Sequence, residues 1–174
     1  MERLQIQVRQ LGRADATEYR SIRLFALRDS PTSFGSSYDD ESALPLEAFA
    51  KPLDAISART VFGAFLGHEL VGIVGIEREQ GVKERHKALL RSMFVAPEHR
   101  GAGVGRQLLD HALACIGAMP GIRQVTLAVT ESNSAAVSLY ESSGFRQYGR
   151  EPDALLVDGV YVDELLMIKN VVAA

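Results

Sequence analysis

The chain has 174 residues, 47% hydrophobic and 24% charged. A chain of this size buries roughly 70% of its unfolded surface around one core, so a single domain over residues 1–174 is expected, and a disordered, collagenous or low-complexity chain is excluded. A formal charge of −3 argues against a nucleic-acid backbone as the main partner, which would need clustered Lys and Arg, and no apolar run approaches the roughly 20 residues that span a bilayer.

The opening segment MERLQIQVRQLG alternates polar with apolar residues instead of offering a signal-peptide core, so a cytoplasmic protein is expected. Within it Leu4, Ile6 and Val8 share one face, the period of a half-buried strand over residues 4–8. Asp15 and Glu18 have capping-box spacing, and Tyr19, Ile22 and Ala26 recur at helical intervals until Pro31 closes the segment. Residues 30–42 are rich in Ser, Pro, Gly and Asp and read as a long loop on the substrate side, followed by a short helix over 46–53.

Residues 60–66 and 69–77 are β-branched and aromatic runs joined by Gly67-His68, a hairpin. A third strand covers 88–95 and ends at Pro97. After the glycine-rich segment that follows Arg100, Val104, Leu108, Ala112, Cys115 and Met119 take a helical spacing, which makes Cys115 a core position. Residues 125–129 form a further short strand. Ser132, Asn133 and Ser134 supply caps for a helix to 143, and Gly144 followed by Phe145 is a glycine stop with its apolar contact. Residues 146–150 and 160–168 read as closing strands. The order βααβββαβαββ predicts an α/β (α+β) sandwich around one mixed sheet flanked by helices.

The single cysteine cannot form an internal disulfide, and His68, His86, His99 and His111 show no ligand spacing, so no metal site is expected. The segment MFVAPEHRGAGVGRQLL, residues 93–109, carries the chemistry. Gly101, Gly103 and Gly105 let successive backbone N–H groups face one anion, the following helix start adds unpaired donors and the positive end of its dipole, and Arg100 and Arg106 add full charges. This suits a phosphate or pyrophosphate. The P-loop pattern fails because Gly105 is followed by Arg106-Gln107 instead of Lys-Ser/Thr, and the dinucleotide fingerprint fails because Arg106 or Leu108 stands where its third glycine belongs.

The remaining pattern, a strand ending Met93-Phe94-Val95-Ala96-Pro97 followed by Arg100-x-x-Gly103-x-Gly105, resembles the signature of the GNAT superfamily of N-acetyltransferases. Asn133 with Ala136, Leu139, Tyr140, Gly144 and Phe145 looks like that family's second block. The resemblance implies the GNAT fold, a mixed, mostly antiparallel sheet of six to seven strands, with the strands over 88–95 and 125–129 splayed at one end. It also implies acetyl-CoA as cosubstrate and acetyl transfer to a primary amine, a small metabolite or a protein or peptide amine, by direct attack in a ternary complex. A catalytically silent CoA-binding module of the same fold is the alternative.

By the same resemblance the strand-end residues Met93, Phe94 and Val95 meet the pantetheine arm, and Asn133 holds its far side. Arg100, Gly101, Ala102, Gly103, Val104, Gly105 and Arg106 cradle the pyrophosphate. The Met93 backbone N–H polarises the acetyl carbonyl, and Tyr140 lies on the cofactor and is the candidate general acid. No Asp or Glu interrupts residues 89–95, where several relatives carry a catalytic glutamate, so Glu77 and Glu79 are the candidate bases, with Asp163 next, the alternative being that they are solvated edge charges and water relays the proton. Asp39-Asp40-Glu41 could attract a cationic amine. The acceptor pocket is expected from residues 30–53 and 150–163, and a homodimer is left open.

Overall fold

The computed structural model describes residues 5–54 and 58–171. Strands β1 (Ile6–Gln10), β2 (Arg59–Leu66), β3 (Glu69–Arg78) and β4 (Lys87–Val95) pair in succession, each antiparallel to the next. β5 (Gln124–Thr130) lies parallel to β4, which demands a crossover, and helix α4 (Val104–Ala118) supplies it. β7 (Val160–Asn170) pairs antiparallel with β5, and β6 (Arg146–Val157) closes the edge, giving the sheet order β1-β2-β3-β4-β5-β7-β6. The expected mixed, mostly antiparallel sheet is therefore present. Leu4, counted in the first expected strand, lies outside the described residues.

Apolar residues cover both faces of the sheet. One face packs on Leu108, Ala112 and Ile116 of α4 and on Tyr140 of α5 (Ser134–Ser142). The other packs on α1 (Ala16–Asp29) and the short α3 (Leu46–Ala50) through Ile22, Ala26 and Phe49. Gly72 lets α4 lie close on β3, because an added Cβ there would meet Leu108 Cδ1 at 2.9 Å and the Phe94 carbonyl oxygen at 3.0 Å.

Four details differ from the expectations. Asp15 does not cap with Glu18: its carboxylate accepts from the Gly12 N–H at 2.8 Å and pairs with Arg9 at 2.7 Å, so the box closes one turn earlier, around a 3₁₀ turn over Arg13–Asp15. The loop over 30–42 contains a 3₁₀ turn, Pro31–Ser33, and a short helix α2 (Tyr38–Ser42), whose Ser37 hydroxyl accepts from the Asp40 N–H. The closing strands extend through the expected loop, because Asp158 (φ 50) and Gly159 (φ 78) form a two-residue turn between Val157 and Val160. Both residues take the positive φ of a type I′ hairpin turn, for which Asp-Gly is a strong signal. Cys115 is half-buried at the rim of the core instead of inside it.

Candidate active site

β4 and β5 pair only at Lys87–Gln124, Ala88–Val125 and Leu89–Thr126, and beyond Leu89 they part while β5 stays paired with β7 as far as Thr130–Glu164. On its other side β4 carries a bulge. Phe94 pairs with Ile73 and Arg91 with Gly75, so Ser92 and Met93 together face the single residue Val74. Ser92 takes φ 55, a left-handed conformation costing a non-glycine residue roughly 1 kcal/mol or more. The cost is taken where β4 turns out of the regular ladder and toward the gap.

That gap opens into a cleft of about 610 Å³. Met93, Phe94 and Val95 form one wall, Asn133, Ala136 and Leu139 of α5 the opposite wall, and Gly101, Gly105 and Arg100 one end. The third side is residues 29–33, of which 30–33 fall in the segment expected on the acceptor side; the buried Thr130 hydroxyl donates to the Thr32 carbonyl and ties this turn to β5. Nothing in the sequence signals that pairing, since its partners stand 98 residues apart.

The phosphate end is built largely from backbone. Gly101 (φ 76) and Gly103 (φ 85) take left-handed conformations that favour glycine. The first backbone bond of the helix runs from the Gln107 N–H to the Gly103 carbonyl, leaving the N–H groups of Val104, Gly105 and Arg106 without an intrahelical acceptor. A Cβ on Gly105 would touch Leu139 and Met93 at 3.5 Å, so this glycine marks the close approach of α4 to the cleft walls. Arg100 donates to the Val95 carbonyl at 2.9 Å and to Asp29 at 2.5 Å. Burial pushes the Asp29 carboxyl up, but the bonds from Arg100 and Ser30 together with the Arg100 charge leave it below its ordinary value.

Several expected residues spend their side chains away from a ligand. The Val104 side chain is buried in the core, Ala102 and Gly103 are exposed on the loop, and none of the three lines the cleft. The Arg106 guanidinium turns to α5, donating to Ser143 Oγ at 2.5 Å and to Ser142 Oγ. Asn133 lines the cleft but spends its side-chain oxygen on the Ala136 N–H at 3.2 Å, capping α5.

Tyr140 lines a small cavity of about 80 Å³ beneath the cleft, together with Met93, Ser92 and Arg91. Only 5% of the residue is exposed, its ring meets Phe145 edge-on at 5.8 Å, and burial alone pushes the phenol well above its ordinary value. Glu77 lines neither cavity; its carboxylate lies 3.4 Å from Arg91. Asp163 pairs with Arg150 at 2.6 Å and accepts from the Asp153 N–H at 2.8 Å. Glu41, read as a lure for cations, is locked to Arg23 by bonds of 2.6 and 2.9 Å.

A strand pair that parts beside a glycine loop at a helix start is the geometry the motifs implied, and the profile of the acetyltransferase (GNAT) family matches residues 21–145. The chain belongs to the GNAT acetyltransferase family. This GNAT chain superimposes on the crystal structure of a GNAT-family acetyltransferase from Streptococcus pneumoniae with a TM-score of 0.84, at 27% identity over 97% of this chain and 100% of that one. It is 29% identical over 91 residues to spermidine N(1)-acetyltransferase of Vibrio cholerae, a match covering 52% of this chain and 53% of that protein. An uncharacterized protein of Mycobacterium leprae is 34% identical over 115 residues, 66% of this chain and 30% of that protein. The GNAT chain thus spans at most about half the length of these two curated relatives. Among the described residues no helix is long and apolar enough to cross a membrane.

Proposed function

We propose that this GNAT chain is an acetyl-CoA-dependent N-acetyltransferase that moves an acetyl group to a primary amine by direct attack in a ternary complex. The observation that carries the reading is the cleft where β4 leaves β5, with Met93 on its wall, the glycine loop at one end and Tyr140 beneath. An extended ligand with amides of its own suits such a gap, because strand edges present N–H and C=O groups that a ligand can pair like an added strand. The helix start and its glycines suit a pyrophosphate. The similarity to an enzyme named for spermidine acetylation accords with an amine acceptor.

Acetyl-CoA supplies an activated acyl group, and the chain's residues do the rest. The Met93 backbone N–H, at the bulge, polarises the acyl carbonyl, a contribution of roughly 3 kcal/mol for a well-placed donor. The acceptor nitrogen attacks that carbonyl carbon, the C–N bond forms as the C–S bond breaks, and Tyr140 gives its proton to the departing sulfur. The phenol is protonated at neutral pH as any tyrosine is, and because burial makes it a weaker acid its proton moves only as charge develops on the sulfur. Glu77 and Asp163 are both held in ion pairs, so the proton lost by the amine passes to water, and water returns a proton to the Tyr140 tyrosinate before the next turnover.

The test is thiol release from acetyl-CoA across amines, amino acids, aminoglycosides and peptides, beside calorimetry with CoA, NAD and ATP. Turnover with at least one amine class and preferential CoA binding are expected. CoA binding without turnover would leave a binding module, and NAD or ATP binding without CoA would remove the reading altogether.

A further inference from the structure

Beyond Ser92, on the α1 side of the sheet, lies a second cavity of about 570 Å³ that the acetyl-transfer chemistry leaves unused. Two of its lining residues, Arg59 and Arg91, meet over Gly75 of β3. An added Cβ there would lie 3.5 Å from Arg91 Cγ and 3.7 Å from Arg59 Nε, so the missing side chain lets two arginines from β4 and β2 cross the same patch of sheet. Arg23 of α1 lines the cavity from above, with Phe49 and Leu44 as an apolar side. Three guanidinium groups thus share one cavity with two carboxylates, Asp40 and Glu41.

The partners of these charges decide what the cavity can hold. Glu41 is committed to Arg23, a pair whose side chains are only 16% and 9% exposed. Asp40 accepts from the Ser37 hydroxyl at 2.7 Å on the first turn of α2. Arg91 faces Glu77 across 3.4 Å at a half-open edge, a loose contact that a better acceptor could replace. Burial pushes the Arg59 guanidinium below its ordinary value, Tyr19 and Glu77 oppose that, and the like charges of Arg91 and Arg23 add to it. Guanidinium groups crowded in this way favour an anion with two or more oxygens.

The cavity also adjoins the chemistry. Arg91 lines both this cavity and the one beneath the cleft that contains Met93 and Tyr140, and Arg23 Nη1 donates to Ser92 Oγ at 3.3 Å, next to Met93. We propose that the acceptor is a small amine carrying a carboxylate or phosphate, its anionic group bound by Arg59 and Arg91 and its nitrogen directed past Ser92 toward Met93. The proposal rests on the acetyltransferase reading for its amine. It replaces the expectation that Asp39-Asp40-Glu41 draws in a cationic acceptor, because Glu41 is bound to Arg23 inside the fold.

The experiment uses matched acceptors: amino acids against their amides, aminoalkyl phosphates against the parent amino alcohols, and spermidine as a polycation. Wild-type kcat/KM should favour the anionic member by about 10- to 100-fold, the range of a charge-assisted hydrogen bond, and comparing the carboxylate with the phosphate pair identifies the group. Arg59→Met and Arg91→Gln should each raise KM for the anionic acceptor about tenfold or more while leaving KM for acetyl-CoA unchanged. Arg91→Glu should invert the preference between an amino acid and its amide, which a merely structural role would not do. Should Arg59→Met not fold, the half-exposed Arg91 decides.

A binding arm separates this inference from the enzyme reading. The CoA-saturated protein is titrated with the N-acetylated amino acid and with its amide. Tighter binding of the carboxylate without turnover of any acceptor would keep the anion site and end the acetyltransferase reading. Turnover that favours spermidine or ignores the anionic group would overturn the anion site and keep the enzyme.

Discussion

Arg100 Nη2 lies 2.5 Å from Asp29 Oδ2, which joins the loop before α4 to the last residue of α1 at the mouth of the cleft. The guanidinium that the signature assigns to phosphate is therefore already held by a carboxylate and by the Val95 carbonyl. Asp29→Asn removes that competing charge, so CoA should bind as well as to wild type or better, whereas Arg100→Glu should weaken it, by less as salt rises. Calorimetry at two ionic strengths checks both, and equal affinity of wild type and Arg100→Glu at low salt would take Arg100 out of the phosphate site.

Tyr140→Phe keeps the ring against Phe145 and deletes only the hydroxyl, so folding and the KM for acetyl-CoA should hold while kcat falls by about 10- to 100-fold. Because burial raises the phenol's pKa, wild-type kcat should show no loss from tyrosine ionisation between neutral and moderately alkaline pH. Equal kcat for wild type and variant at both pH values would return Tyr140 to a packing role.

Two glycines of the loop should respond differently to a side chain. At Gly103 no atom lies within 4 Å of an added Cβ, but φ is 85, so Gly103→Val should destabilise the start of α4 by roughly 1–2 kcal/mol and weaken CoA binding as well. At Gly105 the added Cβ of alanine finds ordinary contacts with Leu139 and Met93. Gly105→Ala should fold with near wild-type stability and still weaken CoA, because the methyl enters the cleft. Urea unfolding paired with calorimetry separates the two effects.

Glu77→Gln should lower kcat by far less than the roughly 100-fold expected for loss of a general base, because its carboxylate faces Arg91 and lines neither cavity around Met93. A steady-state comparison at saturating acceptor decides it, and a hundredfold loss would restore Glu77 as the base.

Burial pushes the Glu41 carboxyl up, but the bonds and charge of Arg23, with Ser36 and the charge of Arg59, together leave it below its ordinary value. A depressed carboxyl contributes stability that is full above its unfolded pKa of about 4.3 and is lost as pH falls through the folded value. Glu41→Gln should therefore cost about 1–3 kcal/mol at pH 7, the penalty for stranding one partner of a part-buried pair after solvent screening, and less near pH 3. Urea midpoints at the two pH values measure this.

By itself the sequence determined the order of the strands and of the long helices, the β2–β3 hairpin joined at Gly67-His68, the helix start at Gly103 and Val104, and the stop at Gly144, which takes φ 89. These follow from side-chain periodicity and from conformations that few residues tolerate, both local properties. The Asp158-Gly159 turn is an equally local signal, and it carries β6 to Val157, beyond the expected strand over 146–150. Only the tertiary structure decided which way each side chain is spent. Arg106 turns to Ser142 and Ser143, Asn133 caps its own helix, Glu41 disappears into a pair with Arg23, and the Pro31–Ser33 turn closes the cleft through Thr130. Apart from the Asn133 cap, those choices are made between residues 18 to 98 positions apart, and at every one of them the winning partner is set by packing, which no local pattern encodes.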